Sequence, residues 1–262
     1  MSTYHDILFD IADDVATITI NRPDRLNAVT PGALAEISAA LDEAVARGAR
    51  ALMMTGNARA FCSGADLMGE KGVVGVPDDL GSLVEDHFNP VVRKIASLPI
   101  PVISAVGGLA AGAGCSLALH ADFVVAGKSA YFLLAFINIG LVPDAGSTWL
   151  FAKAMGRARA LEFAMLGERL YAERAQAEGL IYKAVEDDAV LDEARSLAKR
   201  LARGPTIALG LIRESVSAAL AGTLEEVLLI EAKDARTAGF TADGKEGIAA
   251  FVEKRPANFQ GK

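Results

Sequence analysis

The stretch from Val102 to Asp122 constrains this chain more than any other. Pro101 precedes an apolar, largely β-branched run, Val102 to Val106, with the composition of a buried strand. Gly107, Gly108, Gly112 and Gly114 follow, and a helical run then ends near Asp122. A glycine-rich turn between strand and helix lets a ligand approach the backbone closely. The first turn of the helix adds unpaired N–H groups and about half a positive charge, so a ligand atom carrying negative charge is stabilised there. A dinucleotide pyrophosphate fits poorly. Gly112-x-Gly114-x-x-Leu117 lacks the third glycine, and Asp122 comes too early for a ribose contact. A phosphate-cradling P-loop needs Lys followed by Ser or Thr after its last glycine, where this chain has Cys115 and Ser116. What remains is an oxyanion formed during a reaction and held by backbone donors.

A second stretch narrows the reading. Phe61-Cys-Ser-Gly-Ala-Asp-Leu67 follows another apolar strand, Ala51 to Thr55. Three further motifs stand in order around this pair: Asn21-Arg-Pro-Asp-Arg-Leu-Asn-Ala28, Gly140-Leu-Val-Pro-Asp-Ala-Gly-Ser-Thr148 and Ala250-Phe-Val-Glu-Lys-Arg255. In these motifs the chain resembles the crotonase, or enoyl-CoA hydratase/isomerase, family over nearly its whole length. The resemblance implies an α/β fold, the ββα spiral, carrying a C-terminal helical subdomain that packs against neighbouring subunits in trimers or dimers of trimers. It also implies an acyl-CoA thioester as substrate, with coenzyme A entering as part of that substrate and no separate cofactor. The backbone N–H groups of Ala65 and Gly112 match the oxyanion-hole positions. Arg25, Leu26, Ala65 and Leu67 match positions around the CoA adenine and phosphates, while Phe251 and Lys254 match positions that contact CoA across a subunit boundary.

The family's hydratases use two glutamates, and at the matching positions this chain has Ser116 and Phe136. A hydroxyl without a base and a phenyl ring cannot activate water at neutral pH, which argues against ordinary hydration. Asp144 is the remaining carboxylate in a pocket motif. The segment Val142 to Trp149, together with Gly156-Arg-Ala-Arg-Ala160 and the closing Arg255 to Lys262, resembles the bacterial ring-1,2-epoxyphenylacetyl-CoA isomerases, a subgroup that uses this aspartate. The resemblance therefore implies an isomerase with Asp144 as base, and Ser116, Phe136 and Trp149 beside the acyl group. The alternatives are a hydratase with atypical catalytic residues, or a non-catalytic acyl-CoA- or RNA-binding relative. Asp144 could also simply cap a helix starting near Ala145.

Bulk properties narrow the partners. At 262 residues, 52% of them hydrophobic, the chain can build one sizeable core. We divide it into an acyl-CoA-binding core, 1–204, and a helical subdomain, 205–262, with Gly204-Pro205 as the boundary. A formal charge of -7 disfavours nucleic acid, and no apolar run reaches membrane-spanning length, so a cytoplasmic protein is expected. Cys62 and Cys115 stand singly, without metal-ligand spacing, and read as reduced, buried thiols.

In chain order, Val15 to Ile20 alternates as a strand. Thr30 then caps a helix with Pro31 at its first position, Leu34, Ile37, Leu41 and Val45 on one face, and Gly48 beyond its end. Lys71 to Asp86 reads as a loop or short helix. Asp122 to Ala126 and Ile181 to Val185 read as strands. The apolar run Tyr131 to Ile137 either fills the core or lines a pocket. From Arg157 the chain is mainly helical, with breaks at Gly167, Gly179, Gly204-Pro205, Gly222 and Ala242-Asp-Gly244. His87 could reach a pocket, whereas His120, at a helix end, suits the dipole as a cation.

Overall fold

Three successive strand–strand–helix turns form the scaffold, and the computed structural model describes residues 4–57, 59–68 and 79–262 of it. Strands β1 (Ile7–Ala12) and β2 (Val15–Ile20) open the chain as a hairpin. Its two-residue turn puts Asp13 and Asp14 at positive φ, the twist that a tight hairpin demands and that aspartate tolerates. Helix α1 (Pro31–Ala46) follows, and the Thr30 hydroxyl accepts the Ala33 N–H at 3.1 Å as its cap. Leu34, Ile37 and Leu41 are buried as their spacing predicts, but Val45, on the last turn, is exposed.

Each turn of the spiral then gives one strand to a large sheet, one to a small sheet, and helical structure behind. The first consists of β3 (Ala51–Thr55), β4 (Ala60–Cys62), the short α2 (Leu80–Leu83) and α3 (Asn89–Ser97). The second is β5 (Val102–Val106), β6 (Leu109–Ala111) and α4 (Ala113–Leu119). The third is β7 (Phe123–Gly127), β8 (Tyr131–Leu133) and α5 (Ser147–Leu166). Next come β9 (Leu170–Tyr171), α6 (Ala172–Ala177), β10 (Lys183–Val185) and α7 (Val190–Ala202). The C-terminal helices are α8 (Thr206–Ala219), α9 (Leu224–Phe240) and α10 (Ala242–Glu253).

The large sheet runs β1-β2-β3-β5-β7-β10 and is parallel except at β1, and the small sheet runs β4-β6-β8-β9 with β9 antiparallel. Every residue of β3 and β5 is buried, as in parallel strands covered on both faces.

Several expectations shift. The three-residue strands β4, β6 and β8 are too short to leave a periodic signal, so the turn after Val106 hides β6. The strand expected at Asp122 begins at Phe123, and only Lys183–Val185 of the segment from Ile181 pairs. Of the stretch Lys71 to Asp86, residues 71–78 lie outside the described part, and 80–86 are helical. The break expected at Ala242-Asp-Gly244 sits one residue earlier, where the Thr241 hydroxyl accepts the Gly244 N–H and starts α10. Gly156, at φ 76, interrupts α5, a kink that the sequence reading missed. Cys62 and Cys115 are buried free thiols, and burial pushes Cys62 up to about 12 and Cys115 upward as well, leaving both unreactive.

The three C-terminal helices are tied to the rest of the chain by two arginines. Arg50 donates to Thr206 Oγ1 and to the carbonyls of Gly204 and Phe259. Arg213 pairs with Asp122 and donates to the carbonyls of Leu98 and Ile95.

Candidate active site

The two glycine turns meet. Val29 clamps the first, donating to Gly64 O at 2.8 Å and accepting from Asp66 N at 2.9 Å, so the amide of Ala65 between them faces away from Val29. The Asp66 carboxylate, paired with Arg22 at 3.0 Å and accepting the Met68 N–H, fixes the same turn. The second turn packs against the first. A Cβ on Gly114 would lie 2.3 Å from Cys62 O, so only glycine lets α4 approach β4, and a Cβ on Gly64 would lie 3.6 Å from Ala113 N.

At this point the structure corrects the sequence reading. The N–H of Gly112 donates to Leu133 O at 2.9 Å, extending the β6–β8 ladder, and is not available to a ligand. The next amide is that of Ala113, the first residue of α4, and among the described residues neither Ala113 N nor Ala65 N has an acceptor. Ala65 and Ala113 both line one cavity of about 590 Å³. Its walls are mainly apolar, with Leu67, Leu83, Val84, Phe88, Phe136 and Leu141 among them.

Asp144 lines the same cavity. Its carboxylate does not cap α5, whose first turn has no side-chain cap, so the bland explanation of this residue fails. The oxygen Oδ1 is buried without a hydrogen-bond partner among the described residues, and burial raises the carboxyl to about 6. Its main-chain carbonyl, by contrast, accepts from Ser147 N at 3.0 Å, Ser147 Oγ at 2.8 Å and Ser116 Oγ at 3.2 Å. A carboxyl that titrates near neutrality, beside two unengaged amides in an apolar cavity, can exchange a proton with a carbon acidified by an adjacent, polarised carbonyl.

A profile of the enoyl-CoA hydratase/isomerase family matches residues 10–262. The chain belongs to this family. It is 44% identical to the 1,2-epoxyphenylacetyl-CoA isomerase of Escherichia coli K12, over 98% of each chain. It is 42% identical to a probable enoyl-CoA hydratase of Rhodobacter capsulatus, over 99% of this chain and 100% of the other. A crystal structure of enoyl-CoA hydratase subunit I from Geobacillus kaustophilus superposes with a TM-score of 0.91 at 36% identity, covering 100% of both chains. As a crotonase the chain is an acyl-CoA hydratase/isomerase, and both activities occur among these relatives.

The family positions named from the sequence do not all reach the cavity. Ala65, Leu67, Gly112, Phe136 and Asp144 line it, Gly112 with its N–H engaged by Leu133. Ser116 does not. It is fully buried behind Asp144, with its hydroxyl held by that residue's carbonyl. Trp149 is 42% exposed on α5 and does not line the cavity either. Arg25 and Leu26 support the site through their backbones: Leu26 O accepts Ser63 N and Arg25 O accepts the Ser63 hydroxyl, and Ser63 lines the cavity. Phe251, 85% exposed, and Lys254, the left-handed residue that closes α10, lie on the surface away from this chain's cavity.

Sequence reasoning missed a wall. Between α2 and α3, Val84–Phe88 forms a π-helical turn in which the Asn89 N–H reaches back to Val84 O. Pro90 supplies the reason, since its ring would crowd the carbonyl four residues back in a continuous α-helix. The widened turn presents Val84, Glu85, Phe88 and Asn89 to the cavity. Asn89-Pro90 was the available signal. His87, in the same turn, is half-buried but does not line the cavity. His120 is corrected too. Burial lowers its pKa, so it sits neutral at the end of α4 rather than as a cation on the helix dipole.

Proposed function

We propose that this protein is an acyl-CoA isomerase working through a thioester enolate. The amides of Ala65 and Ala113 hold the thioester oxygen, and ionised Asp144 removes a proton from the carbon next to the thioester. In a 3-enoyl-CoA the resulting dienolate takes the proton back two carbons further on, at the far end of the former double bond, giving the 2-enoyl-CoA. One residue can do both steps, because protonated Asp144 is the acid for the second. The rearrangement of ring-1,2-epoxyphenylacetyl-CoA draws on the same base and the same donors, and the similarity to the Escherichia coli enzyme favours a ring-bearing acyl group. Phe136 and the apolar wall around it suit such a ring.

The observation that carries this reading is Asp144: a carboxyl near neutrality at the cavity wall, with no capping role and with an Oδ1 that has no hydrogen-bond partner among the described residues. A second reading, hydration, would draw on Glu85, the other carboxylate on the cavity wall among the described residues. It is weakened by Phe136, a ring where an acid would be needed, and by Ser116, which does not face the cavity. The test is a spectrophotometric assay of wild-type protein with a 3-enoyl-CoA, with ring-1,2-epoxyphenylacetyl-CoA and with crotonyl-CoA. Isomerisation with poor crotonyl-CoA hydration is expected, and robust hydration would overturn the proposal.

The assembly belongs to the same proposal. Leu229 (75% exposed), Phe240 (74%) and Phe251 stand exposed on α9 and α10, and exposed large apolar side chains are what a subunit contact covers. A homotrimer or dimer of trimers in which Phe251 and Lys254 contact the CoA of a neighbouring subunit would cover it.

A further inference from the structure

Asp144 sits in a turn that its own sequence does not favour. Ala145 has φ 48 and Gly146 φ 82, two consecutive residues in the left-handed region, and an alanine adopts that region rarely. Something must hold the turn, and the hydrogen bonds show what. Ser116 and His120 lie four apart, on one face of α4 and its C-terminal residue, directly beneath it. Ser116 donates to the carbonyl of Asp144 at 3.2 Å, and His120 Nε2 lies 3.2 Å from the carbonyl of Ala145. A carbonyl can only accept, so the imidazole must carry its proton on Nε2. A Cβ on Gly146 would come within 2.7 Å of the same nitrogen, so the ring also packs against the turn where only glycine leaves room.

We propose that Ser116 and His120 are positioning residues for Asp144, holding the main chain of the 144–146 turn so that the carboxyl stays in the cavity wall. The proposal rests on Asp144 being the base. Neither side chain lines the cavity, and neither exchanges a proton with substrate. They act on the direction of the carboxyl through two carbonyls. Burial keeps His120 neutral, which suits a ring whose task is to hold one hydrogen bond. Ser116, Ser147 and His120 engage the main-chain carbonyls, and Oδ1 of the carboxyl has no partner among the described residues.

The experiment compares Ser116→Ala, His120→Leu and His120→Gln with wild type and Asp144→Asn, measuring kcat, KM and the pH dependence of kcat for isomerisation of a 3-enoyl-CoA. Ser116→Ala and His120→Leu should each lower kcat about tenfold or more, because small misplacements of a catalytic group are costly, and leave KM within about twofold. The acid-side inflection of kcat should fall toward the ordinary carboxylate range as the carboxyl turns toward water. His120→Gln, which can place an amide N–H near the position of Nε2, should restore most of kcat. Ser116→Ala removes a single oxygen and provides the folded comparison if His120→Leu proves unstable. Unchanged kcat and inflection in folded Ser116→Ala, or equal losses in the His120→Gln and His120→Leu variants, would overturn the proposal. Full activity in Asp144→Asn would instead overturn the base assignment itself, so the two failures are distinguishable.

Discussion

Replacing Asp144 by Asn should make the protein slower and more stable at once. The fold holds this carboxyl at about 6, against an ordinary value of 3.8, through burial alone. At about 1.4 kcal/mol per tenfold change in an equilibrium, that rise corresponds to about 3 kcal/mol of destabilisation when the group is ionised. The carboxyl keeps some contact with solvent through the cavity, which screens the effect, so about 1–2 kcal/mol is the working figure. Because the native pKa is raised, the penalty is full above about pH 6, shrinks as pH falls toward 3.8, and vanishes below it, where folded and unfolded chains are both protonated. Asparagine carries no charge and keeps the three bonds to its main-chain carbonyl. Urea titration at fixed protein concentration should therefore show Asp144→Asn more stable than wild type by about 1–2 kcal/mol at pH 7.5, with the gap closing near pH 4. Isomerisation should fall by roughly 10²–10⁴, the usual contribution of a general base. Wild-type kcat should rise from pH 5 to 7 with a midpoint near 6. A variant less stable than wild type at pH 7.5, or as fast as its parent, would refute the reasoning.

Ala113→Pro removes a proposed oxyanion donor at the first position of α4, where proline is tolerated; a fall of about 10²–10³ in kcat with native circular dichroism is expected. Arg213→Ala leaves Asp122 as a buried carboxylate, already pushed upward by burial, without its partner. A loss of about 3–5 kcal/mol should appear in urea titration. Light scattering of the intact protein should give a mass of three or six chains, and Leu229→Glu together with Phe240→Glu should lower it; a monomeric wild type would refute the proposed assembly.

The sequence by itself determined the elements whose signals are local. Thr30-Pro31 set the start of α1, Val102 to Val106 marked a strand buried on both faces, and the glycines at 64 and 114 marked turns where two backbones nearly touch. The same glycines, with the ordered motifs around them, made the family legible, and Asp144 stood out as the carboxylate left in a pocket motif. What the chain could not reveal depends on partners distant in sequence. Gly112 and Ala113 are neighbours, yet the ladder to Leu133 takes the first amide and leaves the second open, a choice made by β8, which begins 20 residues after β6 ends. Ser116 and Trp149 were placed at the acyl group, but helix packing turned one beneath Asp144 and the other to the surface. The wall carrying Glu85 and Asn89 exists because Pro90 forces a π turn that no apolar periodicity encodes. Local propensity writes strands, caps and tight turns into the sequence, while the direction of a hydrogen bond or a side chain is decided only once the two sheets and α4 have packed.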